Sequence, residues 1–119
     1  MHMTSSSLIK SANGFTTVPL DARLLSKRII YIDDQTITGE LIAEVISKIM
    51  ILVSEDASSM ITILLDSEGG GVRPGMVLYD LLQSCRTPIR LVVAGKAYSM
   101  AALLFASGRH GRYMLPSSE

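Results

Sequence analysis

Gly95-Lys96-Ala97-Tyr98-Ser99-Met100-Ala101-Ala102 follows directly on the aliphatic run Ile89 to Ala94 and opens an alanine-rich segment. The apolar run reads as a buried strand, and its break at a glycine before helix-forming residues reads as strand, tight turn, helix. Ser99 sits at that break. Such a turn puts one side chain at the mouth of a sheet and leaves the first helical N–H groups without intrahelical partners. The positive end of the helix dipole points the same way, so the Ser99 hydroxyl and the Met100 amide offer a nucleophile beside a site for developing negative charge. A serine is also common at a helix start, where it caps the first turn for about 1 kcal/mol. One serine without a base does not define an active site.

Upstream, Ile61-Thr62-Ile63-Leu64-Leu65-Asp66 reads as a second buried strand that ends in Ser67-Glu68-Gly69-Gly70-Gly71-Val72. Adjacent glycines let backbone approach a ligand closely and leave amides unobstructed, as anion-binding nests require. The same residues also suit an ordinary loop with positive-φ positions. Two parallel strands, each ending in a small-residue turn and a helix, bring both turns to the carboxyl edge of one sheet, where such folds bind ligands.

In order, the chain reads strand, Ser67-x-Gly69-Gly70-x-Val72, helix with Tyr79-Asp80, strand, Gly95-x-Ala97-x-Ser99-Met100, helix, Gly108-x-x-Gly111 and Leu115-Pro116-x-Ser118. From about Arg23 to Glu119 this resembles the proteolytic subunit of the Clp protease. The resemblance implies an α/β fold of the Clp-peptidase and crotonase type, with repeated β-β-α and βαβ units around a mostly parallel sheet, incomplete at the C-terminus. It implies that Ser99 is the acylating serine and that the backbone amides of Gly70 and Met100 form the oxyanion hole, with no cofactor and no metal. It further implies a cytoplasmic, ring-forming serine endopeptidase subunit, homo- or hetero-oligomeric, that cleaves unfolded polypeptide delivered by an ATP-dependent unfoldase. Residues 1–17 correspond to an axial arm and 18–119 to a truncated peptidase domain. In the family the histidine and aspartate of the triad fall beyond the point matching Glu119, so this chain carries neither. Glu68 stands where the family has proline, and Tyr98 where it has a small residue. A catalytically inactive Clp-like subunit or assembly module is the alternative, and a crotonase-type acyl-CoA enzyme is a third reading.

Composition agrees with one aliphatic α/β domain. The chain has 119 residues, 48% of them hydrophobic but only 5% aromatic, and no Trp. A domain of that size buries roughly 65% of its unfolded surface, here with Ile, Leu, Val, Met and Ala. Lys plus Arg and Asp plus Glu both number 11, so no basic field exists to hold nucleic acid. Cys85 is the single cysteine; it cannot form an internal disulfide, and it reads as a small core filler. No secretory signal pattern opens the chain. The apolar stretch Leu91 to Phe105 is broken by Lys96 and is shorter than the roughly 20 residues of a membrane span. Gly95-Lys96-Ala97 lacks the glycine spacing of a P-loop.

The remaining elements follow by pattern. Met1 to about Thr17, with Ser5-Ser6-Ser7 and Asn13-Gly14, reads as a mobile arm or a hairpin, in which His2 is a solvated side chain. Leu20 to Lys27 is a helical turn, and Ile29 to Ile32 a strand closed by Asp33-Asp34, which suit a turn and a helix cap better than a metal site. From Ile37, apolar residues recur at helical spacing to Met50, opposite Glu40, Glu44 and Lys48, with Thr36 or Thr38 as cap. Ile51-Leu52-Val53 continues the apolar character around the cylinder, so the last turns are expected to be buried on most sides, against a neighbour. Pro74 to Gln83 is a helix, and Ile89 to Ala94 is expected to be covered on both faces. The Ser99 helix is expected to run to Gly108, followed by Arg109 and His110, and Tyr113 to Leu115 forms a last strand. Along that same helix His110 is expected to lie about 16 Å from Ser99, too far to act as its base within one subunit.

Overall fold

The computed structural model describes residues 6–11, 14–33, 35–106, 108 and 110–119. His2, Asn13, Asp34 and Arg109, which carry the arm, turn and cap expectations, lie outside the described residues. In chain order the elements are β1 (Ser6–Ser11), β2 (Gly14–Pro19), α1 (Leu20–Ser26), β3 (Ile29–Asp33), α2 (Gly39–Glu55), β4 (Ile61–Ser67), α3 (Val72–Ser84), β5 (Ile89–Ala97), α4 (Met100–Ala106) and β6 (Arg112–Met114). The opening segment takes the hairpin alternative: β1 and β2 pair antiparallel from Ser6 opposite Pro19 to Ser11 opposite Gly14.

Rows of aliphatic side chains across a parallel sheet set the rest. The sheet has four strands in the order β3-β4-β5-β6. Its register aligns Ile30 with Ile63 and Leu91, and Ile32 with Leu65 and Val93. All six are buried, and each contributes roughly 1.5–3 kcal/mol relative to exposure. Strands laid down in sequential order by right-handed crossovers put every connecting helix on the same face. That face is covered by Leu41, Ile42, Val45, Ile49 and Leu52 of α2, Leu78 and Leu82 of α3, and Leu104 of α4, all buried.

The one-sided helical layer corrects two expectations. β5 alternates, with Ile89, Leu91 and Val93 buried but Arg90 exposed and Val92 half-buried, because no crossover helix reaches the second face. There the Arg90 Nε–H donates to Thr62 Oγ1 at 2.8 Å. Likewise α2 turns only one stripe inward: Ile49 and Leu52 are buried, whereas Met50 and Ile51 remain 64% and 48% exposed. The cap resolves to Thr38, whose Oγ1 accepts from Leu41 N–H at 3.1 Å, so Ile37 lies outside the helix. On the polar face the Glu44–Lys48 pair forms at 3.4 Å, worth a few tenths of a kcal/mol, about 0.3.

Arg28 fixes the amino edge of the sheet. It has φ 63°, an αL conformation uncommon outside glycine. Its guanidinium donates to Leu52 O at 2.9 Å, Asp56 O at 2.7 Å, Ser59 O at 3.0 Å and Met60 O at 3.3 Å. One side chain thereby ties Leu52 O of α2, which also accepts from the Asp56 N–H at 3.1 Å, to the carbonyls of the loop that leads into β4. In that loop the Ser59 and Ser58 hydroxyls, with the Ser58 amide, hold the Asp56 carboxyl well below the usual carboxylate range. The loop keeps this support above that range and loses it as pH falls through the lowered value.

Arg28→Ala is expected to destabilise the fold by about 2–3 kcal/mol, since the carbonyls it serves lose a charged donor. Arg28→Lys, a point charge without the planar fork, recovers only part of this. Midpoints of urea unfolding measure both.

Candidate functional site

β4 and β5 both run toward the same edge and end there in tight turns. β4 passes through Asp66 and the fully buried Ser67 into Gly69-Gly70-Gly71. Ser67 Oγ donates to Gln35 O at 2.6 Å and accepts from Gly69 N–H at 3.1 Å, which ties the glycine loop to the segment before α2. Ile37 N–H donates to Gly69 O and Gly71 N–H to Ile37 O, both at 2.8 Å. In such a parallel bridge the middle residue turns its own N–H away from the partner, so the Gly70 amide faces the side away from Ile37. Only glycine fits: a β-carbon at Gly70 would lie 2.5 Å from Ile37 O, and φ is 149°.

β5 ends at Ala97, and Tyr98 N–H donates to Ser67 O at 3.1 Å, which draws the second turn against the first. Ser99 follows with φ 54°. A capping serine has extended backbone, so the cap alternative for Ser99 is not what forms; αL backbone at a non-glycine residue costs roughly 1–3 kcal/mol and marks a held turn. Ser99 is solvent-exposed, and Met100 is 7% exposed. The turn's hydrogen bonds start at Ala101 N–H to Tyr98 O and Ala102 N–H to Ser99 O, both 3.0 Å, leaving the Met100 amide ahead of them.

The two turns touch. A β-carbon at Gly69 would lie 2.9 Å from Ser99 Cβ, 2.7 Å from Tyr98 O and 3.2 Å from Met100 N. The Met100 side chain is pinned in turn, because a β-carbon at Gly75 of α3 would meet its Cγ at 2.3 Å. Of the residues expected at the site, Ser99, Met100 and the glycine loop that carries Gly70 are therefore brought together.

His110 is not among them. α4 stops at Ala106 rather than continuing, and Ile89 N–H donates to His110 Nδ1 at 3.3 Å. Ile89 begins β5 and Ala97 ends it, so the imidazole lies about 26 Å of strand away from the Ser99 turn, at the opposite edge. Separation from Ser99 holds, but through strand length and not along one helix. Cys85 is half-buried against the core and lines a shallow apolar groove with Ile49, Met50, Val53, Ser54 and Leu81. Those residues belong to the C-terminal halves of α2 and α3 and to the Cys85 cap that ends α3, hence also to the amino edge.

Charged groups around the turn escaped sequence reasoning because their partners are remote in sequence. Asp66 Oδ1 accepts from the Lys96 backbone N–H and from Lys96 Nζ, each at 3.2 Å. Gly95 is pressed on that carboxyl, where a β-carbon would lie 2.7 Å from Asp66 Cγ. The Tyr98 hydroxyl donates to the Glu119 carboxylate. That bond holds the phenol above its ordinary value, with partial desolvation and the charges of Glu119 and Glu68 acting the same way and Lys96 against them. Among the described residues no group of three or more His, Cys, Asp or Glu is arranged to hold a metal ion, and no helix is long and apolar enough to cross a membrane.

Fold and site together define a parallel α/β domain with a serine on a strained strand-to-helix turn beside a glycine loop. The Clp protease family profile matches residues 13–119. Among curated proteins, the ATP-dependent Clp protease proteolytic subunit 3, chloroplastic, of Arabidopsis thaliana is 38% identical over 99 residues, covering 81% of this chain and 31% of the relative. The chain belongs to the Clp protease family, and it spans about a third of the length of that relative.

Gly69→Ala combines a clash on the Ser99 turn with φ +102° and is expected to destabilise by about 1–3 kcal/mol. Gly39→Ala, where nothing lies within 4 Å of the new methyl, is expected to stabilise the start of α2 by up to about 1 kcal/mol. Thermal unfolding of the two variants side by side checks the contrast.

Proposed function

We propose that this chain is the nucleophile-bearing part of a serine endopeptidase subunit that hydrolyses peptide bonds of unfolded polypeptide. The observation that carries it is the positive-φ Ser99 turn packed on Gly69. A serine hydroxyl at a strained, exposed strand-to-helix corner beside backbone amides is an arrangement suited to acyl transfer. Ser99 Oγ attacks the scissile carbonyl carbon while its proton passes to a base. The carbonyl oxygen becomes an oxyanion that accepts from the N–H groups of Gly70 and Met100. Collapse breaks the C–N bond, the leaving amine takes the proton, and water then hydrolyses the ester on Ser99 to restore the hydroxyl. The base is supplied by a group outside the described residues, since His110 serves Ile89.

Partner and compartment follow in the same reading. The relative's name includes "ATP-dependent" and "proteolytic subunit", which supports a ring-forming subunit fed by an ATP-driven unfoldase. The arm of residues 1–17 is the axial segment toward that unfoldase, and 18–119 is the peptidase portion. A single unpaired cysteine suits a reducing compartment such as the cytoplasm. The position of His110 favours one alternative, a non-catalytic subunit that joins a mixed ring through the same fold. Co-elution with an active peptidase subunit, without probe labelling, is the outcome that selects it.

A fluorophosphonate probe is expected to label the assembled, full-length protein at Ser99 and to leave Ser99→Ala unlabelled, as read by mass spectrometry of the Ser99 peptide. Loss of one oxyanion donor typically slows such chemistry by about 100-fold or more, so the labelling rate also reports any shift of the Gly70 loop. An unlabelled wild-type assembly overturns the peptidase reading.

A further inference from the structure

The run that leads into Ser99 is clamped from both sides, and Tyr98 is where the clamps meet. On the β4 side, Asp66 holds Lys96 and Ser67 O holds the Tyr98 amide. On the other side the segment after β6 is stitched along β5. Leu115 N–H donates to Val93 O at 3.0 Å, Glu119 N–H donates to Gly95 O at 2.9 Å, and Glu119 O accepts from Ala97 N–H at 2.7 Å. Ser118 Oγ accepts from Gly95 N–H at 3.1 Å and donates to Val93 O at 3.0 Å. These outer-side backbone bonds stop at Ala97. Among the described residues, only the Tyr98 hydroxyl, donating to the Glu119 carboxylate, carries the outer clamp to the residue that precedes Ser99.

Tyr98 is 40% exposed, so packing alone does not fix its ring. An αL residue such as Ser99 relaxes when either flank moves, because the strain of about 1–3 kcal/mol persists only where the surroundings over-determine it. We propose that Tyr98 and Glu119 are a pair of positioning residues, whose side-chain hydrogen bond locks the outer flank of the turn and keeps the Ser99 hydroxyl and the Met100 amide aligned with the glycine loop. The proposal rests on the assignment of Ser99 as nucleophile and adds to it two residues that touch no reacting atom.

The test measures the rate of fluorophosphonate acylation of Ser99 in the assembled, full-length protein. Tyr98→Phe and Glu119→Ala are each expected to slow it about tenfold, the value of one hydrogen bond to a charged group. The double variant is expected to be no slower than either single, because both remove the same contact. Glu119→Gln, whose amide oxygen still accepts, is expected to stay within about threefold of wild type. Singles that react at the wild-type rate, or effects that multiply in the double variant, overturn the proposal. Amide hydrogen exchange at Ala101, whose N–H donates to Tyr98 O, gives a readout free of chemistry and is expected to quicken in Tyr98→Phe and Glu119→Ala. If wild-type Ser99 is not acylated, the nucleophile assignment falls separately. Unchanged Ala101 exchange in both variants then overturns the positioning pair, and faster exchange sustains it.

Discussion

Everything at the site depends on the contact of Gly69 with the Ser99 turn, a place where a single methyl group has no room. Two loops more than twenty-five residues apart meet at that separation only if their strands end level and point the same way. Level ends follow from register, and register follows from the buried rows, because a one-residue slip would turn Ile63, Leu65, Leu91 and Val93 to the open face. The transfer energy of those side chains is thus what sets the spacing of two backbone turns at the carboxyl edge. The Tyr98 amide bond to Ser67 O finishes an alignment that packing has already made.

The same logic explains how a non-glycine residue is kept at positive φ. Ser99 lies between Tyr98, bonded on both sides, and Met100, whose side chain fills the space that Gly75 leaves empty. Met100 is nearly buried while its neighbour is exposed, so one residue of the pair serves as anchor and the other is presented to solvent. α3 thereby reaches the turn through the absence of a side chain at one position. The helical layer is both the core of the domain and the mould for its exposed corner.

Much of this was legible from residue order. Short apolar runs located β3, β4 and β5, helical spacing located α2 and α3, and the glycine break located the Ser99 turn to the residue. What was not legible has a common cause, which is that the partner sits far along the chain. Ile37 fits a helical period by its apolar side chain, yet its backbone pairs with Gly69 and Gly71, and only the Thr38 cap hinted that the helix starts later. Arg28 reads as one more surface cation until the carbonyls of residues 52–60 close around it. Expected burial on both faces of β5 failed because apolar content alone does not reveal that all crossovers lie on one side. His110 was correctly set aside, but helix periodicity could not foresee its bond to Ile89.

Charge around the turn raises a question that magnitudes answer. Glu68 and Glu119 both lie close enough to influence the Tyr98 phenol, and a carboxylate beside a developing oxyanion opposes the proposed chemistry. Both are exposed, however, and in water a unit charge even 5 Å away contributes only about 0.8 kcal/mol. The Gly70 and Met100 amides proposed as oxyanion donors, fixed in backbone and needing no reorganisation, would each be worth about 3 kcal/mol in that role. Asp66, the less exposed carboxylate, is offset by Lys96 at 3.2 Å and adds little net field. The amides therefore outweigh the acids as long as the acids stay hydrated. In the proposed reaction the Glu119 carboxylate does more as the acceptor of the Tyr98 hydroxyl, where its negative charge strengthens a bond that holds geometry, than it takes away as a distant repulsion.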